Sequence, residues 1–465
     1  MGTSSINAVA RTPLLLVACA EVFILFSALY VAALATFGTI AECEDILGPL
    51  APRAAIVAPV IFGGLISMGL YQFHRRIYFR EVIVRIGVAF AGGLLLVATL
   101  FLIVPSIMIS YELALISVAY ALTLVLLVRF FYLQHVDHNI FRRRTLIYGT
   151  GERSASILDL KRRADRRGFL IIGAVPAPGD DKANYAELIQ PVGKSITEIA
   201  LEKEADEIVV AMDDRRGCLP VRDLLDCRTR GIEVIDLLEF LERETGKLRV
   251  DLVSPGWLIF APGFRKSWVR AVIKRLVDIL GSAVLLVLFW PLLIVVAIAI
   301  KFEDGWRSPI FYRQIRTGQD GEPIEVLKFR SMRVDAESSG RAVWASEDDD
   351  RITRVGKLIR TYRIDELPQL ENVLRGEMSL IGPRPERPEF VEELSRKIPF
   401  YSERHVVKPG LTGWAQLKYQ YGASEDDAIE KLQYELYYVK NHNLLLDTMI
   451  LLQTVEVILW GRGAR

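Results

Sequence analysis

The sequence predicts a membrane α plus α/β chain. It begins with a four-helix transmembrane bundle, continues into a Rossmann-like α/β domain, and ends in an α+β domain that carries a re-entrant membrane helix. Three observations predict this. Four apolar runs of membrane length fill the first third of the 465 residues. A strand, a Gly-x-Gly turn, a helical stretch and a second strand follow. A fifth apolar run then has cations on both flanks and a proline past its middle. The expected boundaries are 1–144 for the bundle, 145–245 for the Rossmann-like domain, 246–273 for a linker and 274–465 for the last domain, with the re-entrant helix at 276–300. Composition points the same way: 51% hydrophobic residues are too many for a wholly soluble protein, and 24% charged residues too many for a pure membrane bundle. A net charge of +1 excludes a globally basic nucleic-acid binder.

The first four runs are Thr12–Phe37, Ala54–Phe73, Val82–Pro105 and Glu112–Leu133. Each is long enough to cross a hydrocarbon core of about 30 Å as a helix. The first is too long, and too soon followed by similar runs, for a cleaved signal peptide. Arg75, Arg76 and Arg80 lie between runs two and three, and Arg142, Arg143 and Arg144 follow run four. The loop after run one carries Glu42, Glu44 and Asp45 instead. Short-loop charge therefore places both ends of the bundle in the cytoplasm. Nothing polar inside the runs argues for a transport path, and they read as an anchor.

The next stretch, "TLIYGTGERSASILDLKRRADRRGFLIIGAVPAPGDD", opens a βαβ unit, and "ADEIVVAM" and "GIEVIDL" read as later strands. Gly149 and Gly151 satisfy the tight turn of a dinucleotide fingerprint, but Ser154 stands where the third glycine belongs. No acid closes the second strand to meet a ribose; Asp180 lies beyond a Pro-Gly turn. A regulatory or structural module is favoured over a bound NAD. Cys19, Cys43, Cys218 and Cys227 lack metal spacing and read as free thiols. His135 and His138 have no third ligand nearby for zinc.

The fifth run, Leu276–Ile300, follows Arg265, Lys266, Arg270, Lys274 and Arg275 and precedes Lys301, Arg307, Arg313 and Arg316. Charge bias thus opposes translocation of either end. Pro291 removes a helical hydrogen bond and kinks the axis. A bent helix that enters one leaflet and returns satisfies both observations. A kinked span with an extracellular C-terminal domain is the competing reading.

Beyond it, "SPIFYRQIRTGQDGEPIEVLKFRSM" reads as two strands around a turn at Gly318–Pro323. "RITRVGKLIR" sets Ile352, Val355 and Ile359 on one helical face with cations around the rest, which suits a membrane surface or an ordinary exposed helix. The closing run Leu444–Trp460, interrupted by Asp447, Gln453 and Glu456, reads as interfacial or packed.

Adjacent acids then stand out in "TYRIDELPQLENVLRGEMSLIGPRP". Pro368 is tolerated only in a first helical turn, so a helix is expected from about Asp365 to Arg375. Acids at a helix start are commonly only caps or dipole partners. Here, however, Lys328, Arg330, Arg333, Arg360, Arg363 and Arg384 cluster around them in sequence. Guanidinium forks and helix N-termini suit phosphate. Carboxylates beside phosphate-binding cations imply a divalent metal, Mg2+ above all. Either carboxylate is also a candidate nucleophile at phosphorus.

From Lys274 to Trp460 the chain resembles the bacterial sugar transferase family, the monotopic polyprenyl-phosphate phosphoglycosyl transferases. The residues that carry the resemblance are "KRLVDILGS…WPLLIVVAIAIKFEDG", "SPIFYRQIRTGQDG", "LKFRSMRVDAE", "RITRVGKLIR", "DELPQLENVLRGEMSLIGPRP", "VKPGLTGWAQ" and "LYYVKN". The upstream spans and Rossmann-like domain resemble the family's large form. "VDLVSPGWLIFAPGF" resembles its exosortase- and exopolysaccharide-associated branch.

The resemblance implies that Asp365 attacks the β-phosphate of a UDP-sugar, expels UMP and holds the sugar phosphate. Polyprenyl (undecaprenyl) phosphate then takes it as a polyprenyl diphosphate sugar, the first membrane step of polysaccharide assembly. It further implies that Glu366 and Mg2+, with Asp365 as the other metal ligand, position the diphosphate. Arg360 and Arg384 would bind phosphate, and Lys328 and Arg330 lie on the family's basic strand. The family's helix break at Ser-Pro is here Trp290-Pro291. A homodimer in the bacterial inner membrane, with catalysis on the cytoplasmic face, is the implied setting. Three rivals remain: a Rossmann-type nucleotide-sugar-modifying enzyme, a non-catalytic membrane scaffold, and an enzyme that transfers the sugar without its phosphate.

Overall fold

The computed structural model describes residues 4–71, 79–105, 108–135, 142–160, 168–178, 193–214, 218–253, 263–264, 267–333, 351–419 and 424–460, with single positions at 162, 165, 166, 180, 185, 188 and 256. Arg75, Arg76, His138, Arg265, Lys266 and most of "SPGWLIFAP" lie outside the described residues. The chain is predominantly helical, with several apolar helices and a small parallel sheet. It divides into two compact units, residues 1–240 and 241–465.

The first unit opens with α1 (Ser4–Phe37), α2 (Ile40–Leu47), α3 (Leu50–Ser67), α4 (Phe79–Ile103) and α5 (Tyr111–His135). All but α2 are long and apolar enough to cross a membrane. Helix α2 starts where the Thr39 hydroxyl accepts the Glu42 amide. Helices α3 and α4 approach closely through small residues: a Cβ on Gly64 would meet the Ala89 carbonyl oxygen at 2.9 Å.

Polar groups do lie inside the apolar runs. Glu21 of α1 and Arg129 of α5 are buried together, with Nε–Oε1 at 2.5 Å and Nη2–Oε2 at 2.9 Å. The Arg129 Nη1 donates to the Leu70 carbonyl at 2.8 Å, and the Tyr71 hydroxyl donates to Glu21. Each charge is met by partners, so the cluster braces helices and opens no polar path.

A four-stranded sheet follows: β1 (Arg143–Tyr148), β2 (Phe169–Val175), β3 (Glu207–Val210) and β4 (Glu233–Asp236). All pairings are parallel, in the order β2-β1-β3-β4. The connecting helices are α6 (Glu152–Leu158), α7 (Ile196–Glu202) and α8 (Val221–Thr229), with α9 (Leu237–Thr245) after β4. Strand β3 is buried along its whole length, as a parallel strand covered on both faces must be.

The order of strands reverses direction at β1, and doubly wound sheets take ligands at such a switch point. Here Gly149 turns the chain at φ +107°, and Gly151 lies so close to Asp213 that no side chain fits. The Asp213 carboxylate accepts the amides of Glu152 and Arg153 at 2.8 and 2.7 Å. Asp180 accepts those of Thr150 and Ala177 at 2.6 and 3.0 Å. The amides of Thr150, Glu152 and Arg153 in this turn are thus bonded to the chain's own carboxylates.

The second unit is built on α10, a 37-residue helix from Trp268 to Asp304 with Pro291 inside it. The helix runs without interruption through the proline. Both of its ends are held by the same unit. Near the start, the Arg275 guanidinium donates to the carbonyls of Val373 and Leu374 at 2.5 and 2.6 Å. The buried Asp278 accepts the Ser379 hydroxyl and the Leu380 amide, both at 3.0 Å. Near the end, Val296 and Ile300 pack with Phe329 and Ile359, and Glu303 accepts the amides of Arg354 and Val355. Between those anchors Val284, Val287, Leu288, Trp290 and Val295 are exposed.

An antiparallel hairpin comes next, β5 (Phe311–Thr317) and β6 (Pro323–Phe329), with Tyr312 opposite Lys328. Then come α11 (Arg354–Thr361), α12 (Leu370–Arg375), β7 (Ser379–Ile381), α13 (Pro388–Lys397), β8 (Gly410–Thr412), α14 (Trp414–Lys418), α15 (Glu425–Asn441) and α16 (Leu444–Trp460). Strands β7 and β8 pair in parallel. The core gathers Val326, Leu370, Met378, Trp414, Tyr438 and Ile450. Helix α16 is packed at its start, where Asp447 accepts from Lys274 and Tyr438.

Residues 246–253, expected as linker, contribute Leu248 and Val250, which are buried with Ile398, Tyr401, Leu432 and Leu436. The helix expected from Asp365 to Arg375 forms in two pieces, a 3-10 segment Ile364–Gln369 and then α12. The proline within the first piece has no N–H for an α-helical bond, and the tighter turn tolerates that gap.

Candidate active site

The acids enter the fold on a strained turn. Arg363 adopts φ +54°, a left-handed conformation that costs a non-glycine residue about 1 kcal/mol or more. That turn ends α11 and delivers Asp365 and Glu366 in the first turn of the 3-10 segment. Neither acid caps it, since no side chain serves as its N-cap. The segment packs beside β6, which carries Lys328, and the Gly382-Pro-Arg-Pro turn brings Arg384 from the other side.

The two carboxylates have opposite surroundings. Glu366 is buried, and its Oε1 accepts from Arg384 at 2.6 Å and faces Lys328 at 3.6 Å. Its Oε2 lies 3.8 Å from Arg363. Burial alone would raise its pKa, but Arg384, Lys328 and Arg363 outweigh that and hold it far below the carboxylate range. Asp365 has no hydrogen-bond or ion-pair partner among the described residues. Burial and the neighbouring Glu366 charge push it up to about 6, against the pull of Lys328, Arg384 and Arg360. Lys328 in turn is lowered, by burial first, with Glu366 opposing. A pair of acids split in this way suits two roles, one fixed in charge and one available to react.

Of the residues singled out in the sequence, the fold brings together Asp365, Glu366, Lys328, Arg360 and Arg384. Arg330 is placed differently. It is buried, and its Nη2 pairs with Asp304 at the end of α10 at 2.7 Å. Pro291 lies inside α10. Five further residues support the site. Arg404 donates to the Arg384 carbonyl at 2.7 Å and pairs with Glu435, and Glu386 pairs with Lys431 and Arg316. No spacing rule points to them, because they meet only in the tertiary fold.

No group of three or more metal-ligating side chains exists among the described residues. Of the acid pair, the Asp365 carboxylate is an oxygen donor of the kind that Mg2+ takes alongside substrate phosphate and water. It has no hydrogen-bond or ion-pair partner among the described residues, whereas Glu366 is held by cations.

The bacterial sugar transferase family model matches residues 269–461. Among curated proteins, the chain is 43% identical over 244 residues to the UDP-N-acetylgalactosamine-undecaprenyl-phosphate N-acetylgalactosaminephosphotransferase of Aeromonas hydrophila, covering 52% of this chain and 56% of that protein. It is 34% identical to the UDP-glucose:undecaprenyl-phosphate glucose-1-phosphate transferase of Klebsiella pneumoniae, covering 68% and 67%. To the protein of that same name from Escherichia coli (strain K12) it is 31% identical, covering 69% and 68%. The match thus spans little more than half of the first relative and about two thirds of the others. With similarity extending well upstream of the acid pair in the last two, the chain belongs to the bacterial sugar transferase family.

Proposed function

We propose that the protein transfers a sugar 1-phosphate from a UDP-sugar to undecaprenyl phosphate, with Asp365 as nucleophile. The observation that carries this reading is Asp365, without a hydrogen-bond or ion-pair partner among the described residues and raised to about 6, beside a Glu366 engaged by cations. An Asp365 oxygen attacks the β-phosphorus, the bond from that phosphorus to the bridging oxygen breaks, and UMP departs with the bridging oxygen. The sugar phosphate is then held as an acyl phosphate on Asp365. An oxygen of the lipid phosphate attacks the same phosphorus, the bond to Asp365 breaks, and the carboxylate is restored. Lys328, Arg360 and Arg384 bind and neutralise the phosphate oxygens, while Glu366 fixes Arg384. Mg2+, held by Asp365 and Glu366, would supply further charge neutralisation at the diphosphate.

Membrane placement follows the same line. The charged ends of α10 are bound to one globular unit while its middle is apolar and exposed, which supports a re-entrant helix over a span. Arginines in the short loops support a cytoplasmic catalytic face, where nucleotide sugars are found. We further propose that the parallel-sheet region is a Rossmann-like module that holds no dinucleotide, and that the protein acts as a homodimer.

The test is the nucleotide released when enzyme, UDP-sugars and undecaprenyl phosphate are combined. UMP supports the proposal; UDP would mean that the sugar travels without its phosphate. No nucleotide release with any UDP-sugar would favour the scaffold reading.

A further inference from the structure

We infer that the buried Arg404–Glu435 ion pair is a clamp on the backbone of Arg384, and that both residues position this arginine for the reaction. The inference rests on the function proposed above and adds two residues to it.

Arg404 belongs to the 3-10 turn Tyr401–Val406, and Glu435 to α15. Both are about 2% exposed. The Arg404 Nε and Nη2 lie 2.8 Å from the two Glu435 oxygens, and Nη1 donates to the Tyr401 hydroxyl at 2.7 Å. The same Nη2 donates to the Arg384 carbonyl at 2.7 Å. Glu435 in turn holds the guanidinium that makes this contact. Arg404 therefore grips the carbonyl of Arg384, and Glu435 holds Arg404 in place to do so.

Burying such a pair is expensive, and an apolar pair of equal volume would generally fold as well or better. A fork that binds a carboxylate and a carbonyl at once is a property of arginine that lysine lacks. What the pair adds is orientation. Arg384 sits between prolines in the sequence Gly382-Pro383-Arg384-Pro385, and its side chain reaches Glu366 at 2.6 Å. The next residue is braced separately. Glu386 pairs with Lys431, one turn before Glu435 on α15, and its carbonyl accepts the Thr317 amide at 2.8 Å. The clamp thus fixes the one backbone unit from which the guanidinium projects toward the acids.

The test is a double-mutant cycle read in steady-state UMP release, with the full-length protein in detergent or native-membrane discs. Arg404→Lys and Glu435→Gln retain bulk and polarity. Each should lower kcat/KM about ten- to a hundredfold, the scale of a small misplacement of a reacting group. Arg384→Lys should be impaired alone. Adding Arg404→Lys or Glu435→Gln to Arg384→Lys should change the rate by no more than about twofold, because a clamp has nothing left to position. Losses that multiply would overturn the inference and assign the pair to general folding. Running both second-site variants keeps the cycle decisive where one of them fails to fold. If Arg384→Lys is as active as wild type, the reading of Arg384 fails; the clamp fails instead when Arg384→Lys is impaired and the losses multiply.

Discussion

Asp365 and Glu366 are neighbours in sequence with nothing else in common, and their separation in charge behaviour yields the sharpest expectations. Asp365→Asn should abolish turnover while leaving detergent behaviour unchanged, and wild-type enzyme quenched with UDP-sugar alone should carry a sugar phosphate on the peptide containing Asp365. An active Asp365→Asn enzyme, or an adduct elsewhere, would remove Asp365 from the nucleophile role. Glu366→Gln should also be severe, so only the adduct ranks the two. The sign of the pH effect on stability is equally defined. The folded pKa of Asp365, about 6, lies above the ordinary aspartate value. Between those two values the folded state binds the extra proton, so this group's contribution to stability falls as pH rises through the window. In metal-free protein the wild-type thermal midpoint should therefore drop relative to Asp365→Asn between about pH 4 and 7; a constant difference would show that Asp365 is not raised. The adjacency of the acids, Pro368 and the surrounding cations were all legible in the sequence. Their unequal engagement was not, because it depends on the left-handed Arg363 turn and on an arginine arriving 18 positions later.

Among the elements, α10 is the one on which the proposed membrane placement rests. Its apolar middle and cationic flanks were plain in the sequence, as was Pro291. That both ends dock on one unit was not, since Asp278 reads as a stray acid in an apolar run until its acceptor role toward β7 is seen. Asp278→Ala leaves a buried hydroxyl and amide unpaired and should cost about 1–3 kcal/mol, measured as a lower unfolding midpoint in detergent. Topology has its own test. Gly321, at the hairpin turn, has φ +86° and resists substitution, whereas Glu322 beside it is exposed. With the four native cysteines replaced, Glu322→Cys should resist an impermeant thiol reagent outside intact cells and react in inverted vesicles. Labelling from outside would show that α10 crosses the membrane. The two-piece helix at 364–375 was misjudged for a local reason: propensity marks where a helix ends more clearly than which hydrogen-bond pattern its first turn adopts.

At the scale of the molecule, the proposed site and its immediate scaffold fall in residues 241–465. A chain begun at Leu241 keeps Glu242 paired with Lys440, the Trp414 indole on the Gly246 carbonyl, and Leu248 in its core. It should bind membranes and release UMP, whereas one begun at Phe264 should unfold more readily, as proteolysis of the two would report. The apolar helices and the small parallel sheet were readable because hydrophobic runs and βαβ periodicity are local signals; the choice of partner between distant charges is not. Glu21 and Arg129 make the point, being visible letters in separate runs whose pairing is set by helix rotation across 108 positions. Their meeting also has a consequence in time. Helix α1 is made before α5, so its carboxylate enters the bilayer before Arg129 exists. A lone charge at a helix centre costs about 2.5–3.5 kcal/mol on insertion scales, so α1 is only provisionally committed until α5 arrives. Arg129→Leu should leave that commitment unsecured and reduce the membrane-integrated yield, and adding Glu21→Leu should restore it. Biogenesis of the anchor would then proceed by a late ionic lock that closes over helices already in place.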